Sequence, residues 1–200
     1  MRLALPVVTA LIAAPLALGA VAATAQNADP HAGHAMPAAH DAHARATPGE
    51  SATVTLKNAQ GADIGTAVLT QGATGLLIRI EVTGLTPGWH GVHIHATGQC
   101  EAPFTSAGAH INHGDPKKPH GLLNAEGPDD GDLPNIHAAA DGKVMAEAFT
   151  THARLAAAGP GQWLKDQDGS ALVIHANADD HASQPIGGAG DRVACGVIGA

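Results

Sequence analysis

The sequence predicts an all-β chain, an antiparallel barrel or sandwich carrying one long loop that does chemistry. Three observations predict it. Glycine (25 residues) and proline (13) are frequent and aromatics make up only 2%, a composition that suits many turns better than a helix bundle. Short runs with β-branched residues are separated by Gly, Asn, Asp and Pro, which is strand-and-turn punctuation. One segment, between Ala96 and Pro134, has little periodicity and is dense in His, Asp, Gly and Pro; unstructured segments of that length are usually functional.

The elements follow in order. Residues 1–25 carry Arg2 as their only charge, then the apolar run LALPVVTALIAAPLALGAVA, then Ala23-Thr24-Ala25, the n-region, h-region and cleavage-site pattern of a secretory signal peptide. Pro6, Pro15 and Gly19 interrupt the run, which argues against a retained anchor, so no stable membrane insertion is expected after cleavage. Residues 26–50 are rich in Ala, Pro and Gly and lack apolar periodicity; they read as a flexible arm. His31, His34, His40 and His43 stand in it, either as a metal-gathering tract or as a solvated linker of biased composition. The domain is expected over residues 51–200. Its strands are ATVTLKN (52–58), DIGTAVLT (63–70), GLLIRIEVTG (75–84), GWHGVHIHA (88–96), KVMAEAFTTHA (143–153), ALVIHAN (171–177) and DRVACGVIG (191–199).

Charge and cysteine content restrict the function. The formal net charge is −8, so the bulk surface repels nucleic acid, and no basic patch of phosphate-tracking size is present. Cys100 and Cys195 are the only cysteines. In an oxidising compartment they can join, closing a long loop and restricting the unfolded chain by a nominal ~4–5 kcal/mol; two free thiols are the alternative.

The histidines carry the chemistry. His93 and His95 are two apart on a predicted strand and so share a face. His110, His113 and His120 sit in the long segment, His175 ends a strand, and Asp129, Asp130 and Asp132 close the loop. Imidazole suits copper and zinc, and an aspartate ligand suits zinc.

HGVHIHATGQC (90–100), SAGAH (106–110), GDLPN (131–135), VIHANADD (173–180) and GAGDRVACGVIG (188–199) together resemble the copper/zinc superoxide dismutases, specifically the exported bacterial branch. The resemblance covers essentially all of residues 51–200. It implies an eight-stranded antiparallel Greek-key β-barrel with a long metal-binding loop and a Cys100–Cys195 disulfide. It further implies dismutation of superoxide by copper redox cycling in the periplasm, as a monomer or homodimer. Carried over by position, copper would be held by His93, His95, His110 and His175, with His110 bridging to zinc. Zinc would be held by His110, His120, Asp132 and a residue nine after His120, where the family has histidine and this chain has Asp129. Zinc is expected to be retained with Asp129 as that ligand; Asp130 or His113 in its place, or a copper-only site, are the alternatives.

The resemblance makes Asp179 the carboxylate accepting hydrogen bonds from the outer nitrogens of His93 and His120, and Arg192 the guide for the superoxide anion. His110 would also supply a proton in the second half-reaction. His90 is expected to be structural, while His137, His152 and His181 match no ligand and are expected on the surface. The stretch DDHASQPIGGAGD before Arg192 has no lysine, so any electrostatic guidance falls to Arg192, Lys117, Lys118 or Arg154. The rival reading is a non-enzymatic copper-binding or copper-delivery protein on the same fold.

Overall fold

The computed structural model describes residues 49–199. The expected signal peptide, and residues 26–48 of the arm with their four histidines, lie outside the described residues. The first hairpins follow the alternation of their side chains. Strands β1 (Ser51–Asn58), β2 (Asp63–Gln71) and β3 (Leu76–Val82) send Val54, Leu56, Ala67, Leu69, Leu76, Ile78, Ile80 and Val82 into one core. A period of two puts those residues on one face of a twisted sheet and the polar alternates on the other.

The chain continues through β4 (Gly88–His90), β5 (Val92–His95), β6 (Ile136–Ala138), β7 (Val144–Thr150), β8 (Ala153–Arg154), β9 (Gln162–Trp163), β10 (Ser170–His175) and β11 (Arg192–Ile198). Hydrogen-bonded neighbours run β5-β10-β11-β1-β2-β3-β7, and β4 pairs separately with β6. The expected strand 88–96 is therefore one strand broken at Gly91, whose N–H and carbonyl turn to Asn177 and His175. Because β4 continues into β5, and β6 turns tightly into β7 through Ala139–Lys143, the β4–β6 pair spans the gap between the two ends of the seven-stranded ladder. Counting β4 and β5 together gives the eight strands of a Greek-key barrel; β8 and β9 form a short parallel pair beside it. The sequence reading misses β6, β8 and β9. Strands of two or three residues have too few positions to show an alternation.

Strands β5 and β10 are buried on both faces. Their inner residues Val92, Ile94, Leu172 and Ile174 join the main core. Their outer residues pair His93 with Val173 and His95 with Ala171, beneath a second cluster of Phe104, Ala107 and Cys195. The disulfide Cys100–Cys195, whose ends are 95 positions apart in sequence, pins that cover to β11.

The long segment holds a single 3-10 turn, Thr105–Ala107, and otherwise lies along the free edge of β5. Ile94 N–H donates to the Gly131 carbonyl and Ile111 N–H to the Ile94 carbonyl, both at 2.9 Å, and Ala96 N–H donates to the Ala109 carbonyl at 2.8 Å. An exposed strand edge is thereby covered. The bridges set His110 opposite His95 and Asp132 opposite His93. Gly131 is required at this seam, since a β-carbon there would run into the Ile94 carbonyl oxygen and press on His110 Cβ.

Gly131→Ala is expected to lift the loop from β5 and destabilise the chain by about 1–3 kcal/mol, the usual cost of overpacking. The urea midpoint measures it; an unchanged midpoint would show that the seam has slack.

Candidate metal centre

Four buried histidines converge from three parts of the chain. His93 and His95 project from the outer face of β5, His175 ends β10, and His110 comes from the loop on the β5 edge. Each offers a ring nitrogen, and these lie within 4.8 Å of one another. In each ring the other nitrogen is engaged. His93 Nε2 is 2.8 Å from Asp179 Oδ2, and His95 Nδ1 is 2.9 Å from the Gly108 carbonyl. His110 Nδ1 is 2.9 Å from Asp129 Oδ2, and His175 Nδ1 is 3.0 Å from the Gly190 carbonyl. Those acceptors hold the ring protons outward. The remaining nitrogens, His93 Nδ1, His95 Nε2, His110 Nε2 and His175 Nε2, are buried with no hydrogen-bond partner.

Leaving one buried polar atom unpaired costs about 1–3 kcal/mol, so four lone pairs aimed at one point fit a cation. An all-imidazole set suits copper.

A second set shares His110. His110, His120, Asp129 and Asp132 bring four donor atoms within the same 4.8 Å. His120 Nδ1 is 2.5 Å from Asp132 Oδ1, and His110 Nδ1 is 3.6 Å from the same oxygen. The outer oxygens are occupied: Asp132 Oδ2 accepts from the N–H groups of Gly121 and Asp129, and Asp129 Oδ1 from Gly131 N–H. Asp129 Oδ2 and Asp132 Oδ1 thus face the two imidazoles, a two-nitrogen, two-oxygen set that suits zinc. Its two negative charges also favour a divalent cation over protons. His110 presents Nε2 to the first set and Nδ1 to the second.

The alternatives for the disputed position separate cleanly. Asp130 turns away, 3.8 Å from Lys118 Nζ and 3.7 Å from His152 Nδ1. His113 is exposed and contributes only its backbone N–H to Asp130. Asp179 joins the two sets, with Oδ2 toward His93 and Oδ1 3.1 Å from His120 Nε2. His90 is buried with its ring nitrogens 2.7 and 2.8 Å from the His175 and Thr86 carbonyls, so it braces the backbone under His175. His137 is exposed against Trp89 and His152 is partly exposed. His181 departs from expectation: it is not a free surface residue but lies against Asp179 and Asn135.

Arg192 lines a cavity of 410 Å³ together with His95, His110, Lys117 and Lys118. Arg154 is absent from that lining and donates instead to the Ala156, Ala157 and Gly161 carbonyls. By strand alternation Arg192 shares a face with Ala194, a core residue. A bulge between Ile174 and His175 shifts the register, and Arg192 stands opposite His175 instead. Re-aiming a side chain is a common use of bulges beside sites. The guanidinium then donates to the Phe104 and Gly108 carbonyls at 2.6 and 2.7 Å. Gly108 therefore anchors both Arg192 and His95.

Residues 63–198 match the family model described as copper/zinc superoxide dismutase. The chain is similar to the copper/zinc superoxide dismutase of Caulobacter vibrioides, with 52% identity over 149 residues, covering 74% of this chain and 85% of the relative. It is similar to one from Aquifex aeolicus at 44% identity, covering 70% and 83%. It also resembles the crystal structure of a superoxide-dismutase-like protein from Bacillus subtilis, with a TM-score of 0.69 and 36% identity, covering 76% and 99%.

Burial separates the protonation of the four rings. It holds His93 and His175 down to about 4 and His95 to about 2. Burial pulls His110 down too, but hydrogen bonds to Asp129 and Asp132 and their charges overcome it and raise the ring to about 9. In the metal-free chain the unfolded state binds more protons than the folded state from about pH 6.5 down toward 4, so stability falls with pH there. His110 acts with the opposite sign, contributing stability that is lost as pH rises from 6.5 through 9. The urea midpoint of metal-free protein is therefore expected to peak near pH 6.5; a midpoint that is flat down to pH 4.5 would contradict these protonation states.

Proposed function

Because the chain belongs to the copper/zinc superoxide dismutase family, we propose that His93, His95, His110 and His175 hold its copper and that His110, His120, Asp129 and Asp132 hold its zinc. The enzyme dismutes superoxide: two superoxide anions and two protons become dioxygen and hydrogen peroxide. The observation that carries the assignment is the convergence of four buried, unpartnered ring nitrogens, one of them on a ring whose other nitrogen faces two carboxylates.

Copper, when bound, supplies the one-electron couple that both halves of the reaction need. The chain's own residues do the rest. Arg192, held on two carbonyls, gives the cavity a fixed positive fork for a small anion. Lys117 and Lys118 at the same cavity extend that field, so a chain of net charge −8 still attracts its substrate locally. His110 Nε2 is the ring nitrogen that holds a proton between the two halves, and Asp129 and Asp132 beside Nδ1 stabilise the protonated ring. Asp179 accepts from His93 and His120, which fixes both rings and raises their basicity as ligands.

The signal-like residues 1–25 support export to the periplasm. Among the described residues no helix is long and apolar enough to cross a membrane. A protein that only captured copper would have no use for Arg192 at the mouth of the cavity.

Protein loaded with copper and zinc is expected to dismute superoxide. In a superoxide assay, His175→Ala should lose copper and turnover, and Arg192→Ala should keep its copper while kcat/KM falls about tenfold or more, with weaker dependence on salt. Copper bound without turnover in the parent protein would move the assignment to a copper carrier. Metal analysis after refolding with both ions is expected to give one copper and one zinc per chain, and zinc alone should be lost in Asp129→Ala; copper without zinc in the parent would refute the second set.

A further inference from the structure

We infer that His181 is a positioning residue, whose imidazole N–H sets the Asp179 carboxylate against His93 and His120 and so couples the two donor sets. The inference rests on the metal assignment above. It begins with Asn135, in the loop leading to β6. Asn135 Oδ1 accepts from Asp179 N–H at 2.9 Å, and Asn135 Nδ2 donates to the Asp179 carbonyl at 2.8 Å. This two-point clamp fixes which end of the Asn135 amide is nitrogen, an assignment geometry alone often leaves ambiguous.

The same Nδ2 lies 3.2 Å from His181 Nε2, so His181 Nε2 is the acceptor. A neutral ring whose Nε2 accepts carries its proton on Nδ1. His181 Nδ1 is buried with no hydrogen-bond partner, and Asp179 Oδ2 lies 3.5 Å from it, just beyond hydrogen-bonding geometry. The ring proton is therefore on the nitrogen 3.5 Å from the carboxylate, where it acts as an electrostatic neighbour.

Asp179 receives three hydrogen bonds and has a fourth N–H beside it. His93 Nε2 and His181 Nδ1 face Oδ2, while His120 Nε2 and the His181 backbone N–H face Oδ1, the last at 2.6 Å. Burial would raise the carboxyl, but the hydrogen bonds from His93, the His181 backbone N–H and His120 hold it well below the usual carboxylate range. The backbone is shaped for this contact. His181 sits at φ 60°, a left-handed conformation that histidine and asparagine tolerate better than most residues. Its carbonyl accepts from Leu123 N–H at 2.9 Å, tying it to the segment after His120. A β-carbon at Gly187 would strike Asp179 Oδ1, so the fourth side of the carboxylate is closed by backbone.

Three hydrogen bonds and the neighbouring His181 N–H restrict the rotation of the carboxylate, and the rings of His93 and His120 inherit its orientation. Loss of the His181 imidazole leaves Oδ2 with one donor and the Asn135 amide with a free hydrogen.

Two substitutions separate the N–H from the backbone, because both tolerate a left-handed φ. His181→Gly removes the ring, whereas His181→Asn keeps an amide nitrogen at the position of Nδ1. In zinc-loaded protein, the His93 and His120 ring N–H signals are followed by proton NMR for exchange with solvent, and zinc affinity is read by competition with a chelator. In His181→Gly both signals should exchange faster and zinc affinity should drop about tenfold, the low end for partners of ligating histidines. His181→Asn should stay close to the parent. Parent-like behaviour of His181→Gly, or equal impairment of His181→Asn, would overturn the inference while leaving the metal assignment intact. If His181→Gly does not fold, His181→Asn decides alone: slow exchange supports the inference and its loss overturns it. A parent protein that takes up no zinc would overturn both.

Discussion

The pairing of one loop with the free edge of β5 is the constraint on which the rest of the centre depends. Three backbone hydrogen bonds, from Ile94 to Gly131, Ile111 to Ile94 and Ala96 to Ala109, satisfy an edge that would otherwise be open. They also set the register by which His110 meets His95 and Asp132 meets His93. Two residues of one strand thereby meet residues that lie 15 and 39 positions further along the chain. The disulfide and the Phe104 cluster hold the near end of the loop, and the Asp132 contacts to Gly121 and Asp129 hold the far end.

Within that frame the centre is organised by where protons are excluded. Every ring in the four-histidine set has one nitrogen engaged by a carbonyl or carboxylate and one bare nitrogen inside. Burial keeps three of the rings neutral, while Asp129 and Asp132 of the second set draw a proton onto His110 when no cation is there. The same carboxylates suit a divalent ion in that proton's place. Asp129 in place of the family's histidine strengthens this exchange, because it replaces a neutral donor with an anionic one at the shared ring.

Arg192 shows how a charged residue is placed at the mouth of a site on a strand that otherwise faces a core. Alternation alone would bury it beside Ala194. The bulge at Ile174/His175 turns it outward, and two carbonyls hold it, one of which also orients His95. The proposed anion guide and a proposed copper ligand consequently share one carbonyl as their anchor.

The longer strands were legible in the sequence: β1, β2 and β3 because their core residues repeat every second position, and β7, β10 and β11 as short apolar runs bounded by turn residues. The sequence by itself also determined that His93 and His95 share a face, and its ordered motifs pointed to the family and the donor types. Three-residue β6 escaped because so short a strand shows no period. The tertiary structure decided that Asp129, and not Asp130 or His113, turns inward. It decided that Arg154 has no part in the cavity, and it moved His181 from the surface to the carboxylate that joins the two sets. The physical reason is one of range. Spacing along the chain reports which neighbours share a face, whereas a bulge, a loop laid on a strand edge or an amide clamped across 44 residues changes which distant groups meet, and none of these leaves a local period in the sequence.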